Sequence, residues 1–381
     1  MSTVIANTDI VLPDRVLEDG WLRGDGNIIA EIGEGAPPTS AAMVRLGGHT
    51  LAPGFVDIHV HGGGGSSFQD ADPGDVAAVA DFHRRRGTTT MVASLMTRPL
   101  ADLVHSLAAL RELVADGIVA GVHVEGPFLA AAHCGAHSPD LLRAPSPAAV
   151  DALLSAGEGT LAMITLAPEL PGGIAAVRRI SDAGVLPAIG HTNASYDTAR
   201  RAIGAGARVA THLFNGMRPI HHREPGPAVA LLEDPGGTIE IIHDRKHLHD
   251  SIVTGLFSRL PSGRLALVSD AIAAAGLDTG RYDVDGLEVT VHDGEARLTG
   301  GGPLAGSAIT LSDAVRHSLT AGGDRHSVLT AASRTPARTL GLEDQAGSIR
   351  VGRRADLVAL DQAHQVVAVM SSGQWLGRPP R

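Results

Sequence analysis

The segment 53–61, with the sequence PGFVDIHVH, constrains the fold of this chain more than any other stretch. Its short apolar part, residues 55–60, predicts a buried strand. Because side chains alternate along a strand, His59 and His61 point to the same side, about 6–7 Å apart along the chain. Two such imidazoles can bind one metal ion, and the glycines at 62–65 leave room for a ligand. The alternative is that both histidines are ordinary polar residues at the end of a sheet.

Strand-like and helix-like segments alternate from residue 53 to about residue 342, which predicts parallel strands with crossover helices. Eight strand candidates follow one another, at 55–60, 88–95, 118–124, 160–167, 185–190, 208–213, 238–242 and 264–269. A hairpin-like insertion follows the eighth, and helices are predicted at about 311–321 and 327–341. Eight units within 381 residues predict an α/β fold, a closed (β/α)8 TIM-like barrel. An open doubly wound sheet is the alternative.

The two ends of the chain lack this alternation and read as short strands separated by turns. We therefore predict a small β-sandwich domain built from residues 1–52 and 343–381, with the barrel as the catalytic domain at 53–342.

Composition excludes several classes of protein. A net charge of −10 argues against general binding to nucleic acid or to a membrane surface. There is neither a signal-peptide pattern nor an apolar stretch of about 18 residues, which predicts a soluble, cytoplasmic protein. The single cysteine, Cys134, excludes an internal disulfide and a cysteine-based zinc cluster. Any metal must therefore be held by histidine and carboxylate.

Ionisable residues collect where the predicted strands end, at the face of a barrel where active sites lie. The third strand ends at Glu125, the fifth at His191, the sixth at His212 and the eighth near Asp270, while the first carries the two histidines already named. Each residue alone reads as a structural strand-end group. Together, on five strands, they predict a metal centre.

The lysine content limits which side chain could bridge two metal ions in such a centre. Many hydrolases with a His-x-His first strand bridge two metals with a carboxylated lysine on the fourth strand, but the one lysine here, Lys246, follows the seventh. Glu125 is thus the candidate bridge. His191 and His212 would hold one metal with it, and His59 and His61 a second or weaker site.

Asp270 suits a second role beside such a centre. A carboxylate next to an activated water can take its proton and deliver it to a leaving nitrogen. The alternative is that Asp270 is a simple metal ligand.

Several motifs together resemble the N-acetylglucosamine-6-phosphate deacetylase family of the amidohydrolase superfamily over almost the whole chain. They are PGFVDIHVHG (53–62), HVEGPF (123–128), GAH (135–137), GHTNA (190–194), THLFNGM (211–217), HREPG (222–226) and VSDA (268–271).

The resemblance implies hydrolysis of the 2-acetamido group of an amino-sugar 6-phosphate, giving acetate and glucosamine 6-phosphate. It implies that Glu125, His191 and His212 bind the main metal and that Asp270 is the general base and acid. His137, otherwise a solvated loop histidine, would donate a hydrogen bond to the acetamide carbonyl. One or two ions are implied per subunit, with zinc or iron the candidates.

Basic residues after the sixth and seventh strands, at 218–223 and 245–249, are candidates for phosphate binding or an ordinary solvated charge run. The resemblance places Asn215, the Gly216 backbone and His247 around the sugar phosphate. It places Arg223 in the site of a second subunit, which implies a homodimer.

Arg245 departs from the family, which usually has glycine at this position, a residue that can adopt backbone conformations unfavourable for arginine.

Two other readings compete with the deacetylase. One is another amidohydrolase acting on an N-acyl amine or a cyclic amide, which would not need the phosphate-facing Arg223 and His247. The other is a barrel scaffold without catalysis, which the retention of every ligand type together with Asp270 disfavours.

Overall fold

The computed structural model describes residues 2–39 and 42–378. Within this part of the chain the strands are β1 (Ser2–Val11), β2 (Val16–Asp25), β3 (Ile28–Glu34), β4 (Met43–Pro53), β5 (Phe55–Asp57), β6 (Gly62–Gly63), β7 (Ser66–Ser67), β8 (Thr88–Met91), β9 (Ala93–Leu95), β10 (Val122–Glu125), β11 (Leu161–Leu166), β12 (Leu186–Ile189), β13 (Val209–Ala210), β14 (Thr238–Ile242), β15 (Leu265–Val268), β16 (Gly280–Val284), β17 (Leu287–His292), β18 (Glu295–Leu298), β19 (Leu357–Leu360), β20 (Val366–Ser371) and β21 (Gln374–Trp375). The α-helices are α1 (Pro73–Arg84), α2 (Leu100–Ala115), α3 (Pro147–Ala156), α4 (Gly173–Asp182), α5 (Tyr196–Ala205), α6 (Gly226–Glu233), α7 (Asp250–Arg259), α8 (Leu311–Thr320), α9 (Arg325–Ala331) and α10 (Arg334–Thr339).

Both ends of the chain build one sheet, as predicted. Its seven strands follow the order β21-β20-β19-β4-β1-β2-β3, and every pair is antiparallel except β1 with β4. The strands form one continuous hydrogen-bonded sheet, whereas the sequence predicts a sandwich. The sheet curls, because Ile29 at one end exchanges backbone hydrogen bonds with Gly352 and Arg353, which precede β19. Its inner face buries residues such as Leu22, Leu51 and Leu357.

The middle of the chain forms two parallel sheets, which confirms the predicted strand–helix alternation. One holds β9 to β15 in sequential order, and the other pairs β5 with β8. The segments after β5 and β15 are joined by backbone hydrogen bonds, from Asp270 N to His59 O at 2.9 Å and from His61 N to Ala271 O at 2.8 Å. On the other side of the same segment, Ser94 N donates to Val60 O at 2.9 Å.

Several of the helices between these strands begin at recognisable capping residues. The Asp72 carboxylate accepts hydrogen bonds from the backbone N–H groups of Gly74 and Asp75, and Pro73 occupies the first turn of α1. Ser146 and Ser195 cap α3 and α5 in the same way. In the described residues, no helix combines the length and the apolar character needed to cross a membrane.

The first strand of the parallel unit is shorter than predicted. It ends at Asp57, and residues 58–61 continue as an irregular segment. The reason is local, because the Asp57 side chain accepts the backbone N–H of His59 at 3.2 Å and replaces the regular ladder there. Even so, the Nε2 atoms of His59 and His61 lie 3.1 Å apart, as same-side placement requires.

The single helix predicted at 327–341 is wrong, because the structure has two helices, α9 and α10, with Ser333 between them. Pro336 has no N–H to donate to the carbonyl of Ala332, so a continuous helix would lose that bond. The carbonyl instead accepts the N–H of Val56 at 2.8 Å, which ties the helix pair to β5.

The predicted hairpin insertion is confirmed as the antiparallel sheet β16-β17-β18. Its inner residues Val284, Val289 and Val291 pack with Ala136 and with the apolar segment 272–274 that follows β15. The insertion therefore lies against the ends of the parallel strands, where the predicted site residues are.

Candidate active site

The site residues predicted from strand ends lie together. Glu125 is the last residue of β10, whereas His191, His212 and Asp270 each come two residues after a strand. These last three adopt left-handed backbone conformations, with φ of 46°, 29° and 48°. Such conformations are unfavourable for residues with a side chain and cluster at functional sites. The backbone strain at three strand ends thus marks this region as functional.

One group of possible metal ligands consists of Glu125, His191 and His212, all buried. Glu125 Oε1 lies 3.1 Å from His191 Nε2 and 3.0 Å from His212 Nε2, and the two nitrogens are 3.1 Å apart. Two imidazoles and one carboxylate leave positions open for water and substrate around a bound ion.

A second group consists of His59, His61 and Asp270, also buried. Asp270 Oδ1 lies 3.5 Å from His59 Nε2 and 3.4 Å from His61 Nε2. The other oxygen of Glu125, Oε2, lies 3.5 Å and 3.2 Å from the same two nitrogens. Glu125 therefore faces both groups, one oxygen toward each, which is the arrangement that a bridging carboxylate needs.

One imidazole ring in each group, His61 and His191, is oriented by a hydrogen bond at its outer nitrogen. The Nδ1 atoms of His61 and His191 lie 3.1 Å and 2.8 Å from the carbonyl oxygens of Ser94 and His133. Since a carbonyl only accepts, each Nδ1 carries the proton and each Nε2 presents a lone pair. Rings held in this tautomer by an outer acceptor are typical of metal-ligating histidines.

The charges also suit a cation. Burial acts to raise the pKa of Glu125, but the surrounding histidines, above all His59 and His191, outweigh it and hold that pKa well below the ordinary value. The carboxylate is therefore ionised among converging Nε2 atoms. Histidine and carboxylate donors suit zinc or iron, so the residues present fit the metal that the sequence predicts.

His137 lies at the same centre, with Nε2 3.3 Å from Glu125 Oε2. The backbone N–H of Thr97 donates to His137 Nδ1 at 3.3 Å, so that Nδ1 accepts and Nε2 carries the proton. Burial lowers the pKa of His137, which favours the neutral ring. The ring therefore presents an N–H donor to the centre, a role that its loop position alone does not reveal.

A cavity of about 220 Å³ opens over this centre. Its polar lining includes the predicted residues Asn215, Gly216 and His247 beside the metal-type groups. Its apolar wall comes largely from the insertion, through Val284 and Leu287. The cavity thus combines a hydrolytic type of centre with further polar groups in its lining.

Arg223 is the one predicted site residue that does not lie with the others in the structure. Its exposed side chain contacts the neighbouring His222, at 2.7 Å between Nη1 and Nε2, and among the described residues it is not part of the cavity lining. The other ten predicted residues lie at the centre or along the cavity.

Sequence reasoning missed two buried carboxylates beneath the centre. Asp57 accepts the backbone N–H of Ser269 at 3.3 Å, and burial raises its pKa to about 7. Glu240 lies in β14, where Oε2 is 3.1 Å from His59 Nδ1. A charged residue inside the otherwise apolar strand TIEII is a signal that could have identified Glu240.

Comparisons with known proteins agree with this geometry. The sequence profile described as "Amidohydrolase family" matches residues 50–376. A mutant N-acetyl-D-glucosamine-6-phosphate deacetylase from Mycobacterium smegmatis, solved in complex with N-acetyl-D-glucosamine 6-phosphate, is 42% identical with a TM-score of 0.94, over 99% of this chain and 100% of that one.

Two curated relatives also match over most of their length. The N-acetylgalactosamine-6-phosphate deacetylase of Escherichia coli O157:H7 is 33% identical, over 98% of this chain and 99% of the relative. The N-acetylglucosamine-6-phosphate deacetylase of Homo sapiens is 36% identical, over 94% of this chain and 91% of the relative.

Proposed function

Because the chain belongs to the amidohydrolase family, and within it to the N-acetylglucosamine-6-phosphate deacetylases, we propose that it hydrolyses the acetamido group of N-acetylglucosamine 6-phosphate. The products are acetate and glucosamine 6-phosphate. The observation that carries this proposal is the placement of Asp270 beside His59 and His61, and of His137 beside the shared carboxylate Glu125, in one cavity.

The family is metal-dependent, and Glu125, His191 and His212 are the residues that would hold the main ion. His59, His61 and Asp270 would hold a second, with zinc or iron the candidates. Such an ion polarises a carbonyl group and lowers the pKa of water.

Asp270 moves the proton in this proposal. Its carboxylate takes a proton from the water that attacks the acetamide carbon, and returns it to the nitrogen as the C–N bond breaks. The leaving amine is thereby neutral, and acetate keeps the oxygen that came from water. The left-handed backbone at Asp270 supports this role, because it aims the side chain into the centre.

His137 stabilises the charge that develops on the acetamide oxygen. Its Nε2–H is fixed by the contact between Thr97 and Nδ1, so the donor needs no reorganisation during the reaction. The neutral ring keeps the proton available for this hydrogen bond.

The phosphate end of the substrate would lie beside His247, Asn215 and the backbone of Gly216, which line the cavity. Arg223 would complete that site from a second subunit, so we propose a homodimer. The exposed position of Arg223 supports this, since the side chain is available to a partner.

Three further features belong to this proposal. With β8 and β9 counted as one interrupted strand, the two parallel sheets form one closed eight-stranded barrel, supported by the backbone bonds between the segments after β5 and β15. The curled terminal sheet acts as a small sandwich-like domain, residues 1–52 with 343–381, beside the catalytic domain at 53–342. A cytoplasmic location stays a prediction from the sequence.

The deciding experiment measures acetate release from N-acetylglucosamine 6-phosphate, from unphosphorylated N-acetylglucosamine and from N-acetylgalactosamine 6-phosphate, with metal content determined on the same sample. The third sugar is included because the Escherichia coli relative is named for it. We expect strong preference for a phosphorylated sugar and loss of release after chelation. Bound metal without release from any of the three would direct the search to other amides.

A further inference from the structure

Glu240 is a carboxylate enclosed within the parallel strands. It is the central residue of β14, all five residues of which are buried, and its own exposure is 0%. Burying a carboxylate is costly unless it is hydrogen-bonded and its charge is compensated. Among the described residues no arginine or lysine bonds it, so the compensation must come from another source.

The contacts of Glu240 reach both groups of metal-type residues. Its Oε2 lies 3.1 Å from His59 Nδ1 and accepts the backbone N–H of His212 at 3.2 Å. Its Oε1 is buried with no hydrogen-bond partner within the described part of the chain. A buried carboxylate whose Oε2 lies directly behind a possible ligand ring favours a cation on the opposite side of that ring.

The partner of His59 Nδ1 differs in kind from those of His61 Nδ1 and His191 Nδ1. His61 and His191 direct Nδ1 at neutral backbone carbonyls, of Ser94 and His133, whereas His59 directs Nδ1 at a carboxylate. A carboxylate fixes the tautomer more strongly and makes the opposite nitrogen, Nε2, more basic. That nitrogen faces Asp270 and His61 in the second group.

We propose that Glu240 is a positioning residue that makes the His59–His61–Asp270 group a genuine second metal site. Its carboxylate keeps the Nδ1 proton of His59 in place, so that the lone pair of Nε2 faces this group, and its charge raises the affinity of the group for a divalent ion. The bound ion in turn compensates the buried carboxylate through the imidazole. This inference rests on the metal dependence in the proposed function. It identifies Glu240, on β14, as the residue that supports binding of the second ion.

The test compares the wild-type protein with Glu240→Gln by titrating metal-free samples with Co²⁺ or Zn²⁺. Glutamine keeps an oxygen that can accept from His59 and from the His212 backbone, but it removes the charge. Bound ions per chain are counted by native mass spectrometry, and the Co²⁺ absorption spectrum follows the environment of each ion.

We expect two ions per wild-type chain, and in Glu240→Gln a second ion weakened by about ten- to a hundredfold with the first little changed. Asp356→Asn is the matched control, since Asp356 is a buried carboxylate in the terminal region that pairs with Arg354 far from the centre. Its two affinities should equal those of the wild type. If Glu240→Gln does not fold, Glu240→Asp is used, because it keeps the charge but places it farther from His59. It should selectively weaken binding of the second ion.

Two results would overturn the inference. One is a wild-type chain that binds a single ion in excess metal. The other is equal second-ion affinity in the wild type and the Glu240 variants. Acetate release from N-acetylglucosamine 6-phosphate is measured separately, so a protein that binds two ions but releases no acetate would refute the proposed function and leave this inference standing.

Discussion

The Nδ1 atom of His247 lies 2.7 Å from Oδ2 of Asp244, and both side chains are almost completely buried. The other oxygen of Asp244 accepts the backbone N–H groups of Lys246 and His247, at 2.8 Å and 2.7 Å. Burial acts to raise the pKa of Asp244, but the bonds from His247 prevail and lower it. One ionised carboxylate therefore fixes both the His247 ring and the loop that carries it.

Asp244→Asn should weaken binding of the phosphorylated substrate more than it slows the reaction. The asparagine amide cannot hold the His247 ring as the carboxylate does, so the proposed phosphate contact loses its orientation. We expect KM for N-acetylglucosamine 6-phosphate to rise about tenfold, with kcat nearly unchanged, as loss of uniform binding predicts. Steady-state kinetics check this, and an unchanged KM would remove Asp244 from substrate positioning.

Arg245 adopts a left-handed backbone with φ of 66°, a conformation that favours glycine. Its side chain compensates in part, since Nε donates to Asp250 Oδ1 at 3.1 Å. Arg245→Gly and Arg245→Ala both remove that contact, but only glycine relieves the backbone. We expect the glycine variant to be more stable than the alanine variant by about 1 kcal/mol. Chemical denaturation measures the difference in the free energy of unfolding. A more stable alanine variant would contradict the inference that the backbone at Arg245 is strained.

The positions of the site residues could be predicted because parallel strands bring their carboxyl ends together. The strand order alone was enough to predict the positions of Glu125, His191 and His212. Glu240 could not be placed in the same way, because it lies within a strand and its role depends on which strand faces His59 across the interior. The break before α10 has a local signal in Pro336, but the bond from Val56 N to the Ala332 carbonyl is a tertiary contact that no local pattern contains.

His83, which belongs to neither group of metal-type residues, gives a test of how stability depends on pH. Its ring is buried, with Nε2 2.9 Å from the carbonyl oxygen of Gly62, and burial lowers its pKa from 6.5 to about 4. In the unfolded chain the ring takes up a proton below pH 6.5, whereas the folded ring does so only near pH 4. The free energy of unfolding therefore falls as pH drops through this window.

The His83→Gln variant should lose this pH-dependent contribution to the free energy of unfolding, while its side-chain amide can still donate to the Gly62 carbonyl. Between pH 7.5 and pH 5 we expect the wild type to lose about 2 kcal/mol more stability than the variant. Urea denaturation of both proteins at each pH measures this difference, in which the other titrating groups cancel. Parallel loss of stability in the two proteins would show that His83 does not titrate as inferred.

Asp270→Asn tests the proton transfer. The amide cannot take a proton from water, so we expect kcat to fall by about 10² to 10⁴ while KM changes little. Metal content must be measured on the same variant, because Asp270 also faces the second group. Turnover near that of the wild type would exclude Asp270 as the proton carrier.

Arg223→Ala tests the phosphate contact across subunits. Removing a charge-assisted hydrogen bond should raise KM for the phosphorylated sugar by about ten- to a hundredfold and leave metal content unchanged. Arg218→Ala is a nearby control, because the Arg218 side chain bonds Asn193 of its own chain at 3.0 Å.

Co-expression of differently tagged Arg223→Ala and Asp270→Asn chains decides where Arg223 acts. In a mixed dimer, the chain with intact Asp270 receives Arg223 from its partner, so one of the two sites is complete. With random pairing, half of the dimers are mixed, and about one quarter of all sites regain wild-type KM and kcat. If Arg223 served its own chain, every site would carry one defect or the other. The activity of the purified mixed dimer would then equal the combined activities of the two single variants. That result would contradict the assignment of Arg223 to the partner's site.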